Sequence, residues 1–335
     1  MTLDYYKTKL AKLRVDTKPT WPAATLHLAP YKPFLLLSLM DLIVQRVIDS
    51  NLIRLNVDLM DAFDLYWTRI IGNGRDSNPV MPFNHLRSEG FWHLVDTSGA
   101  TVNVQHIDRS EIFRRIKAQS LLARLDPELF ALIRDPEPCN ALRRVLIEEY
   151  FAPEVRQTIV DVGRITTESF EYSRSLLNRS RGRFVLQESP PTDGLYITEV
   201  RSTAFRRVVV EAYQHTCAVC GARIVTPEGR TAVAAAHIVP WSHSRNDDPR
   251  NGIALCGLHH WAFDQGLIGI TPAYAIAVSP ILAQADQHAA PTLALDGGAI
   301  YKPANEVLWP SPIALRWHIN NIFRPADPFL SPETE

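Results

Sequence analysis

Two short segments containing cysteine and histidine place the strongest constraint on how this chain folds. Cys217 and Cys220 form a C-x-x-C pair, and Cys256 and His259 form a C-x-x-H pair about 36 residues further on. Each pair places two good zinc donors within tetrahedral reach, so the spacing favours a closed Cys3His site for a structural Zn2+. The alternative is a set of buried cysteines that pack as small hydrophobic side chains. Cys139 lies outside both pairs, on a helical pattern, and is expected to be an inert core thiol.

The segment LCGLHHWAFDQG, residues 255–266, contains two adjacent histidines. If His259 completes the zinc site, His260 is left for a second role. His260 and Asp264 stand at i and i+4, which places them on one face of a helix. An imidazole and a carboxylate so placed can hold a hard divalent cation with open coordination positions. Upstream, His237 follows a strand-like run, and Asn251 opens the segment NGIALC.

The length and composition of the chain are those of a globular protein with two domains. It has 335 residues, 46% of them apolar, and a formal net charge of −1, so a nucleic-acid-binding surface would have to be local. The N-terminal sequence MTLDYYKTKL lacks the features of a secretory signal, and the longest apolar run is too short and too polar to span a bilayer. Four cysteines without an export signal do not indicate a disulfide framework. We expect a cytoplasmic protein with no membrane partner.

Periodicity and composition divide the chain into three parts. Residues 1–165 read mostly as helices, among them a buried apolar helix in PFLLLSLMDLIVQRVIDS with Pro33 in its first turn. Residues 166–197 are rich in Arg, Ser, Pro and Gly and are interpreted as a linker. Residues 198–335 contain an amphipathic helix pattern, TAFRRVVVEAYQ, and a strand-like run, TAVAAAHIV. The expected fold class is α+β, a mostly helical N-terminal domain joined by a linker to a smaller mixed unit.

The ordered set His237, Asn251 and His260, framed by the two zinc knuckles, resembles the HNH nuclease family over about residues 198–270. The resemblance implies a ββα-metal fold, in which a β-hairpin and a helix surround one cation. It implies that His237 is the general base that activates water and that Asn251 holds the loop carrying this base. It further implies that His260 binds a catalytic divalent cation, Mg2+ or Mn2+.

One position departs from the family pattern. Many members carry an aspartate ligand directly before the first histidine, where this chain has Ala236. Asp264 is our candidate for the second ligand of the catalytic cation, and Asp248 and His243 are weaker candidates.

Two N-terminal segments, HLAPYKPFLLLSLMDLI and VMPFNHLRSEGFWHL, resemble the sulfur-binding domain of phosphorothioate-dependent restriction endonucleases, which combine that domain with an HNH nuclease. The similarity covers nearly the whole N-terminal part. It implies a shallow apolar pocket for the sulfur that replaces a non-bridging phosphate oxygen. Pro82 would form the floor of this pocket, with Tyr31 and His85 beside it, and Lys32 would contact the phosphate.

The same resemblance implies a double-stranded DNA partner that carries phosphorothioate linkages. Arg87 and Arg109 are our candidates for contacts with the bases. Family members often have a tyrosine before the pocket proline, and this chain has Met81 there. From composition alone, MPFNHL reads as the start of a strand. Because a double-strand break needs two active sites or two visits, we also expect a homodimer.

Two other interpretations of the sequence remain open. The N-terminal domain could read a methylated base, or only the shape of the DNA, and a modified-base reader needs a cavity lined by stacking aromatic rings. The HNH-like unit could also be a zinc-stapled fold in a non-catalytic DNA-binding regulator, although the intact His and Asn set argues against this. Seven arginines against three acids between residues 174 and 207 indicate either a track for the DNA backbone or a solvated connector.

Overall fold

The computed structural model describes residues 1–72, 74–187, 195–226, 230–282 and 290–325. The chain divides into a first unit, residues 1–168 with 226–230, and a second unit, residues 169–225 with 231–335. In the part of the chain that is described, no helix is both long enough and apolar enough to cross a membrane.

The first unit is mostly helical, as the sequence predicts. Its helices and strands are α1 (Leu3–Leu10), α2 (Tyr31–Val44), α3 (Val57–Ile70), α4 (Val80–His85), β1 (Trp92–Val95), α5 (Arg109–Lys117), β2 (Leu122–Leu125), α6 (Pro127–Arg134), α7 (Pro136–Tyr150) and α8 (Pro153–Arg179), the last of which continues into the second unit. β1 and β2 pair in antiparallel fashion, from Trp92↔Leu125 to Val95↔Leu122.

Helix α2 is the buried helix that the apolar run predicts. Pro33 lies in its first turn, where the missing N–H costs no hydrogen bond, and every residue from Lys32 to Ile43 is buried. The helix packs against α3, α4, α6 and α7. Full burial of each leucine or phenylalanine contributes about 1.5–3 kcal/mol. Helix α2 therefore anchors the unit and holds its N-terminal residues, Tyr31 and Lys32, in a defined position.

The segment MPFNHL is helical, so its interpretation as the start of a strand is wrong. It lies in α4, where Val80, Phe83 and Leu86 recur at helical spacing and are at most 1% exposed. Pro82 lies in the first turn of this short helix, where a proline is tolerated. The apolar face turns inward, and α4 packs beside α2. The predicted strand GFWHLV is confirmed as β1.

The second unit contains the predicted ββα arrangement. Its helices and strands after α8 are α9 (Leu195–Ala212), β3 (Val233–His237), α10 (Trp241–Ser244), β4 (Gly252–Cys256), α11 (Gly257–Asp264), β5 (Ile268–Ile270), β6 (Ile276–Val278), α12 (Ala290–Leu293) and α13 (Pro312–Asn321). β3 and β4 form an antiparallel pair from Val233↔Cys256 to His237↔Gly252, and α11 follows β4 directly. The region after residue 275 supplies β6, which pairs with β5, and α13, which packs on β5.

Much of the segment interpreted as a linker is helical. Residues 166–179 belong to α8 and residues 195–197 to α9, while residues 188–194 lie outside the described residues. Two serines of this segment, Ser169 and Ser173, are buried at helical spacing together with Leu176, and all three residues are at most 6% exposed. The Ser173 hydroxyl donates a 2.8 Å hydrogen bond to the carbonyl of Ser169, which satisfies it inside the helix. Composition misled the sequence interpretation because small buried serines resemble loop residues.

Candidate functional site

His237 ends the first strand of the hairpin and lies opposite Gly252 on β4. Its imidazole stacks on the ring of Phe205 in α9, with a centroid distance of 3.8 Å and an interplanar angle of 5°. Gly252 permits this close packing, because a Cβ there would come within 2.4 Å of Val209 and 2.9 Å of Phe205. Helix α9 therefore fixes the plane of the imidazole, and the side chain stays 22% exposed.

Asn251 is fully buried and ties together the loop that follows His237. Its side-chain oxygen accepts a 2.9 Å hydrogen bond from the Val239 N–H, and its amide donates to the carbonyls of Val239 at 3.1 Å and Asn246 at 3.0 Å. Backbone pairing adds a 2.8 Å bond from the Ile238 N–H to the Asn251 carbonyl. These bonds place Asn251 where it can hold the loop beside His237, the role that the family resemblance implies.

A buried aspartate that the sequence did not single out pairs with His237. The Oδ1 atom of Asp247 lies 2.9 Å from Nε2 of His237, and the Asp247 side chain is 1% exposed. On its other side, Oδ2 lies 3.2 Å from Nη1 of Arg201 and accepts a 3.3 Å hydrogen bond from the Tyr172 hydroxyl. The signal available in the sequence was the Asp-Asp pair in RNDDPRN, from which we considered only Asp248.

The two weaker candidates for the second cation ligand make other contacts in the structure. Asp248 caps the turn before β4 by accepting from the Arg250 N–H, and its carboxylate forms a 2.7 Å ion pair with the Arg250 guanidinium. His243 lies against Trp317, with ring centroids 5.4 Å apart, and its Nδ1 is 3.1 Å from the Ser242 hydroxyl. The Asp248 carboxylate is thus already paired within the fold, whereas His243 is exposed.

His260 and Asp264 lie together on α11, as their spacing predicts. Nε2 of His260 is 3.5 Å from Oδ2 of Asp264, and the two side chains are 31% and 55% exposed. This nitrogen and this oxygen fit a hard divalent cation that keeps water or substrate in its remaining positions. Ala236, at the position of the usual aspartate ligand, is buried in the core of the unit. The structure thus offers these two side chains for the catalytic cation.

The four predicted zinc ligands converge in the second unit. The donor atoms of Cys217, Cys220, Cys256 and His259 all lie within 4.8 Å of one another. Nδ1 of His259 is 3.4 Å from the sulfur of Cys217 and 3.2 Å from that of Cys256. Three thiolates and one imidazole at tetrahedral reach fit a structural Zn2+, and they leave no position for a substrate. His259 is buried towards this cluster while its neighbour His260 is partly exposed beside Asp264, so the two adjacent histidines face two different groups of side chains.

In the first unit, predicted DNA-binding residues line one cavity. Its volume is about 320 Å³, and it lies between the start of α2, the start of α4 and the segment after α1. Tyr31, Pro82 and Met81 are among its apolar lining residues, and Lys32 and His85 also line it. The lining residues are Arg14, Val15, Asp16, Ala29, Tyr31, Lys32, Met81, Pro82, His85 and Ser88.

Lys32 does not fit the simple role of a phosphate ligand. Its ammonium is buried and forms an ion pair with the buried carboxylate of Glu89. It also donates to the Arg14 carbonyl at 2.8 Å and to the Ser88 hydroxyl at 3.4 Å. Three acceptors use the three N–H donors of an ammonium, and Glu89 neutralises its charge. The exposed Arg14, which lines the same cavity and which the sequence interpretation missed, is a better placed cation.

Positive charge surrounds His85 at this cavity. Burial lowers the pKa of His85, and the nearby charges of Arg109, Lys32 and Arg87 lower it further. Arg109 and Arg87 do not line the cavity. Arg109 lies 3.2 Å from the sulfur of Met81, a lining residue, and Arg87 donates a 2.8 Å hydrogen bond to Asn84. The charges of Arg109 and Arg87 therefore favour an anionic group near His85, whereas Asp16 in the cavity lining opposes one.

A second cavity, of about 420 Å³, is lined by aromatic and polar residues of the same unit. Tyr31 is shared with the first cavity, and it stacks on Trp67 at a centroid distance of 4.7 Å. The Arg75 guanidinium lies 4.4 Å from the ring of Trp21. Gly74, Arg75 and Asp76 complete the lining. One face of each aromatic ring is thus already covered by another side chain.

Comparison with known proteins identifies the chemistry of the second unit. Residues 217–271, which include both cysteine pairs as well as His237, Asn251 and His260, match the family of HNH endonucleases. The second unit therefore contains an HNH endonuclease domain, a family of phosphodiester hydrolases, and the non-catalytic alternative is not favoured. Among solved structures, one similar chain is a modification-dependent TagI restriction endonuclease, at 24% identity and a TM-score of 0.28. The match covers 37% of this chain and 39% of that one. No curated protein matches significantly.

Proposed function

We propose that this HNH endonuclease acts on DNA, recognises phosphorothioate linkages through the 320 Å³ cavity of its first unit, and hydrolyses nearby phosphodiester bonds at its ββα unit. The observation that carries the proposal is the convergence of Tyr31, Met81, Pro82 and His85 on one cavity. These residues come from two segments about 50 positions apart, and the same two segments resemble a sulfur-binding domain.

The lining of the cavity discriminates sulfur from oxygen by a desolvation penalty. Sulfur is larger and less strongly hydrated than a phosphate oxygen, so it loses little when it contacts a proline ring, an aromatic ring or a thioether. An oxygen placed against Pro82 and Met81 loses its hydrogen bonds to water without replacement, which costs about 1–3 kcal/mol. Rejection of the ordinary backbone is therefore expected to contribute more than attraction of sulfur.

Hydrolysis is assigned to the ββα unit. Nδ1 of His237 accepts a proton from water, the water oxygen forms a bond to phosphorus, and one P–O ester bond breaks, with its leaving oxygen taking up a proton from solvent water. Among the described residues, Nε2 of His237 is paired with Asp247, which leaves Nδ1 for the water. His260 and Asp264 would hold the divalent cation, Mg2+ or Mn2+, which when bound supplies positive charge beside the phosphate oxygens.

The central test compares two synthetic DNA duplexes that differ only in one sulfur atom per strand. The full chain, without the catalytic cation, is titrated with each duplex at several salt concentrations. We expect a clear preference for the phosphorothioate duplex, of about tenfold or more, which corresponds to about 1.4 kcal/mol. Cleavage after addition of Mg2+ or Mn2+ should follow the same preference. Equal affinity would refute sulfur recognition and leave an HNH endonuclease with an unidentified reader.

The variant Pro82→Asp should remove the preference for sulfur. A carboxylate at this buried position opposes the phosphate charge and must itself be desolvated, and either effect costs more than about 1 kcal/mol. Pro127→Asp is the matched control, because Pro127 is exposed at the start of α6 and does not line the cavity. The control should bind both duplexes as the parent does. A Pro82→Asp protein that is folded by circular dichroism and keeps its preference would contradict the assignment of the cavity.

The salt dependence of binding should separate Arg14 from Lys32. Arg14→Ala should weaken binding of both duplexes and reduce the slope of log affinity against log salt by about one unit, because one phosphate contact is lost. Lys32→Ala leaves Glu89 buried without its partner, so it should lower the free energy of unfolding by about 3–5 kcal/mol. Arg54→Ala, at an exposed arginine outside the cavity, is the control for a general loss of charge. An unchanged slope in Arg14→Ala would remove Arg14 from the phosphate site.

A methylated base is the second candidate for the recognised modification. The 420 Å³ cavity with Trp21 and Tyr31 in its lining favours it, because a displaced base would stack on such rings. The covered ring faces of Trp21 and Tyr31 count against it. A third duplex, with 5-methylcytosine in place of the phosphorothioate, decides between the two. Tight binding of this duplex, without tight binding of the phosphorothioate duplex, would assign recognition of the modification to the second cavity.

A further inference from the structure

We infer that Asp247 is a positioning residue for His237, held in place by Arg201 and Tyr172, and that it selects the ring nitrogen that faces water. The inference rests on the proposed role of His237 as general base and adds residues that the HNH pattern does not contain.

The contacts of Asp247 are divided between its two oxygens. Oδ1 faces Nε2 of His237 at 2.9 Å, while Oδ2 faces Nη1 of Arg201 at 3.2 Å and the Tyr172 hydroxyl at 3.3 Å. Asp247 is 1% exposed and the Arg201 side chain is 8% exposed, so both charges are removed from water. Burial of a charged pair is costly and adds little stability by itself. A network of this kind, aimed at one face of a partly exposed histidine, is better explained by a role in the site.

The network fixes the tautomer of His237. A carboxylate only accepts hydrogen bonds, so Nε2 must carry the proton that it donates to Asp247. The neutral imidazole then presents the lone pair of Nδ1, and the parallel ring of Phe205 keeps it from tilting. When Nδ1 takes a proton from water, the imidazolium that forms is stabilised by the carboxylate 2.9 Å away.

Arg201 gives the network its rigidity. Its guanidinium lies 3.1 Å from the centre of the ring of Trp241, the residue that begins α10, and Arg201 as a whole residue is buried. Helix α9 therefore supplies both the cation that neutralises Asp247 and Phe205 that stacks on His237. With this cation on Oδ2 and only 1% of its surface exposed, Asp247 is poorly suited to bind a second cation. It does not replace the aspartate ligand that Ala236 lacks.

The test is the pH dependence of cleavage by the full chain, on the phosphorothioate duplex and on supercoiled plasmid with excess protein, at saturating Mn2+. Asp247 faces His237 directly, and Arg201 and Tyr172 act on it through Asp247. Helix α11, which packs against the β3–β4 hairpin, carries the other titratable groups, His259, His260 and Asp264. Asp247→Asn removes the negative charge that favours the imidazolium. We expect the single-turnover rate of cleavage to fall about 100-fold and the acidic limb of its pH profile to move to lower pH, with the protein concentration that gives half the maximal rate nearly unchanged.

Two further variants test whether the direction in which the acidic limb of the pH profile moves depends on the interaction of Asp247 with His237. Tyr172→Phe removes one donor from the carboxylate and leaves Asp247 with a stronger interaction with His237, so its acidic limb should move to higher pH. Asp248→Asn is the matched control, because it removes a neighbouring buried carboxylate that pairs with Arg250 and not with His237. The control should lose stability but keep the parent's pH profile. Shifts in the same direction for all three variants would mean a structural role only and would overturn the inference.

A direct readout of the tautomer does not depend on cleavage. The nitrogen chemical shifts of His237, assigned in protein labelled with 15N-histidine by difference from His237→Ala, should show the Nε2–H form in the parent. Detection of the Nδ1–H form would overturn the inference even if Asp247→Asn is inactive. If the parent cuts no DNA with any cation, the proposed function fails instead, and the nitrogen shifts still decide whether Asp247 sets the tautomer.

Discussion

His237→Ala is expected to lower the rate of DNA cleavage by about 1,000-fold or more, within the range that a lost general base accounts for. The methyl side chain cannot accept a proton, so water must attack the phosphodiester without assistance. Zinc content and affinity for the phosphorothioate duplex should stay near those of the parent, since the Cys3His cluster and the first-unit cavity are built from other residues. Single-turnover cleavage at saturating protein measures the chemical step directly.

The control for this experiment is His243→Ala. His243 lies in the same loop region, on α10, and is exposed, and the structure gives it no contact with Asp247 among the described residues. We expect this variant to cleave at the parent's rate. The thermal midpoints of both variants show how much stability is lost when His237 no longer stacks on Phe205. Cleavage by His237→Ala at a rate close to that of the parent would show that the general base has been assigned to the wrong residue.

Cys256→Ser is expected to remove the zinc and destabilise the second unit strongly. The parent should hold about one zinc per chain after dialysis against a weak chelator, measured by elemental analysis. Cys256 ends β4 and precedes α11, and Cys217 lies in the segment after α9, so a bound zinc ion would join the hairpin, α11 and this segment. Because structural zinc contributes about 10–16 kcal/mol of apparent binding free energy in small zinc domains, loss of one ligand should lower the thermal midpoint by a large margin.

Cys139→Ser provides the matched control for the zinc site. Cys139 is buried in α7 of the first unit, apart from the cluster, and burial raises the pKa of its thiol, as expected for an inert core residue. This variant should keep its zinc and lose only the packing free energy of one small side chain. Folded parent protein that contains no zinc would refute the structural zinc site, and equal loss of zinc in both variants would refute the ligand assignment.

Features with a short sequence period were predictable in this chain. The zinc ligands repeat as pairs three residues apart, and His260 and Asp264 are one helical turn apart, so the local backbone alone brings each pair together. The apolar run of α2 and the strand before His237 follow from the same reasoning. The resemblance to two families added the binding partners expected for these elements, because a sequence motif indicates the geometry of the fold in which it occurs.

The local sequence pattern predicted the wrong structure where the burial of a segment depends on residues that are distant in the sequence. Helix α8 reads as a linker because its serines are polar, and only the neighbouring elements that cover Ser169 and Ser173 make them core residues. The segment MPFNHL has too few residues for its helical period to be evident, and packing of Phe83 and Leu86 into the first unit decided its structure.

The residues that pair with buried charged side chains could not be predicted from the sequence. Lys32 and Glu89 are separated by 57 positions, and Arg201 and Tyr172 meet Asp247 from helices that precede it by about 46 and 75 positions. Whether a lysine contacts phosphate or neutralises a buried carboxylate depends on which groups share its low-dielectric surroundings. Those surroundings exist only after α2, α4, α9 and the hairpin have packed. The amino-acid order therefore specifies which residues can bind a metal or take a proton, and the packed fold decides which of them are left exposed to do so.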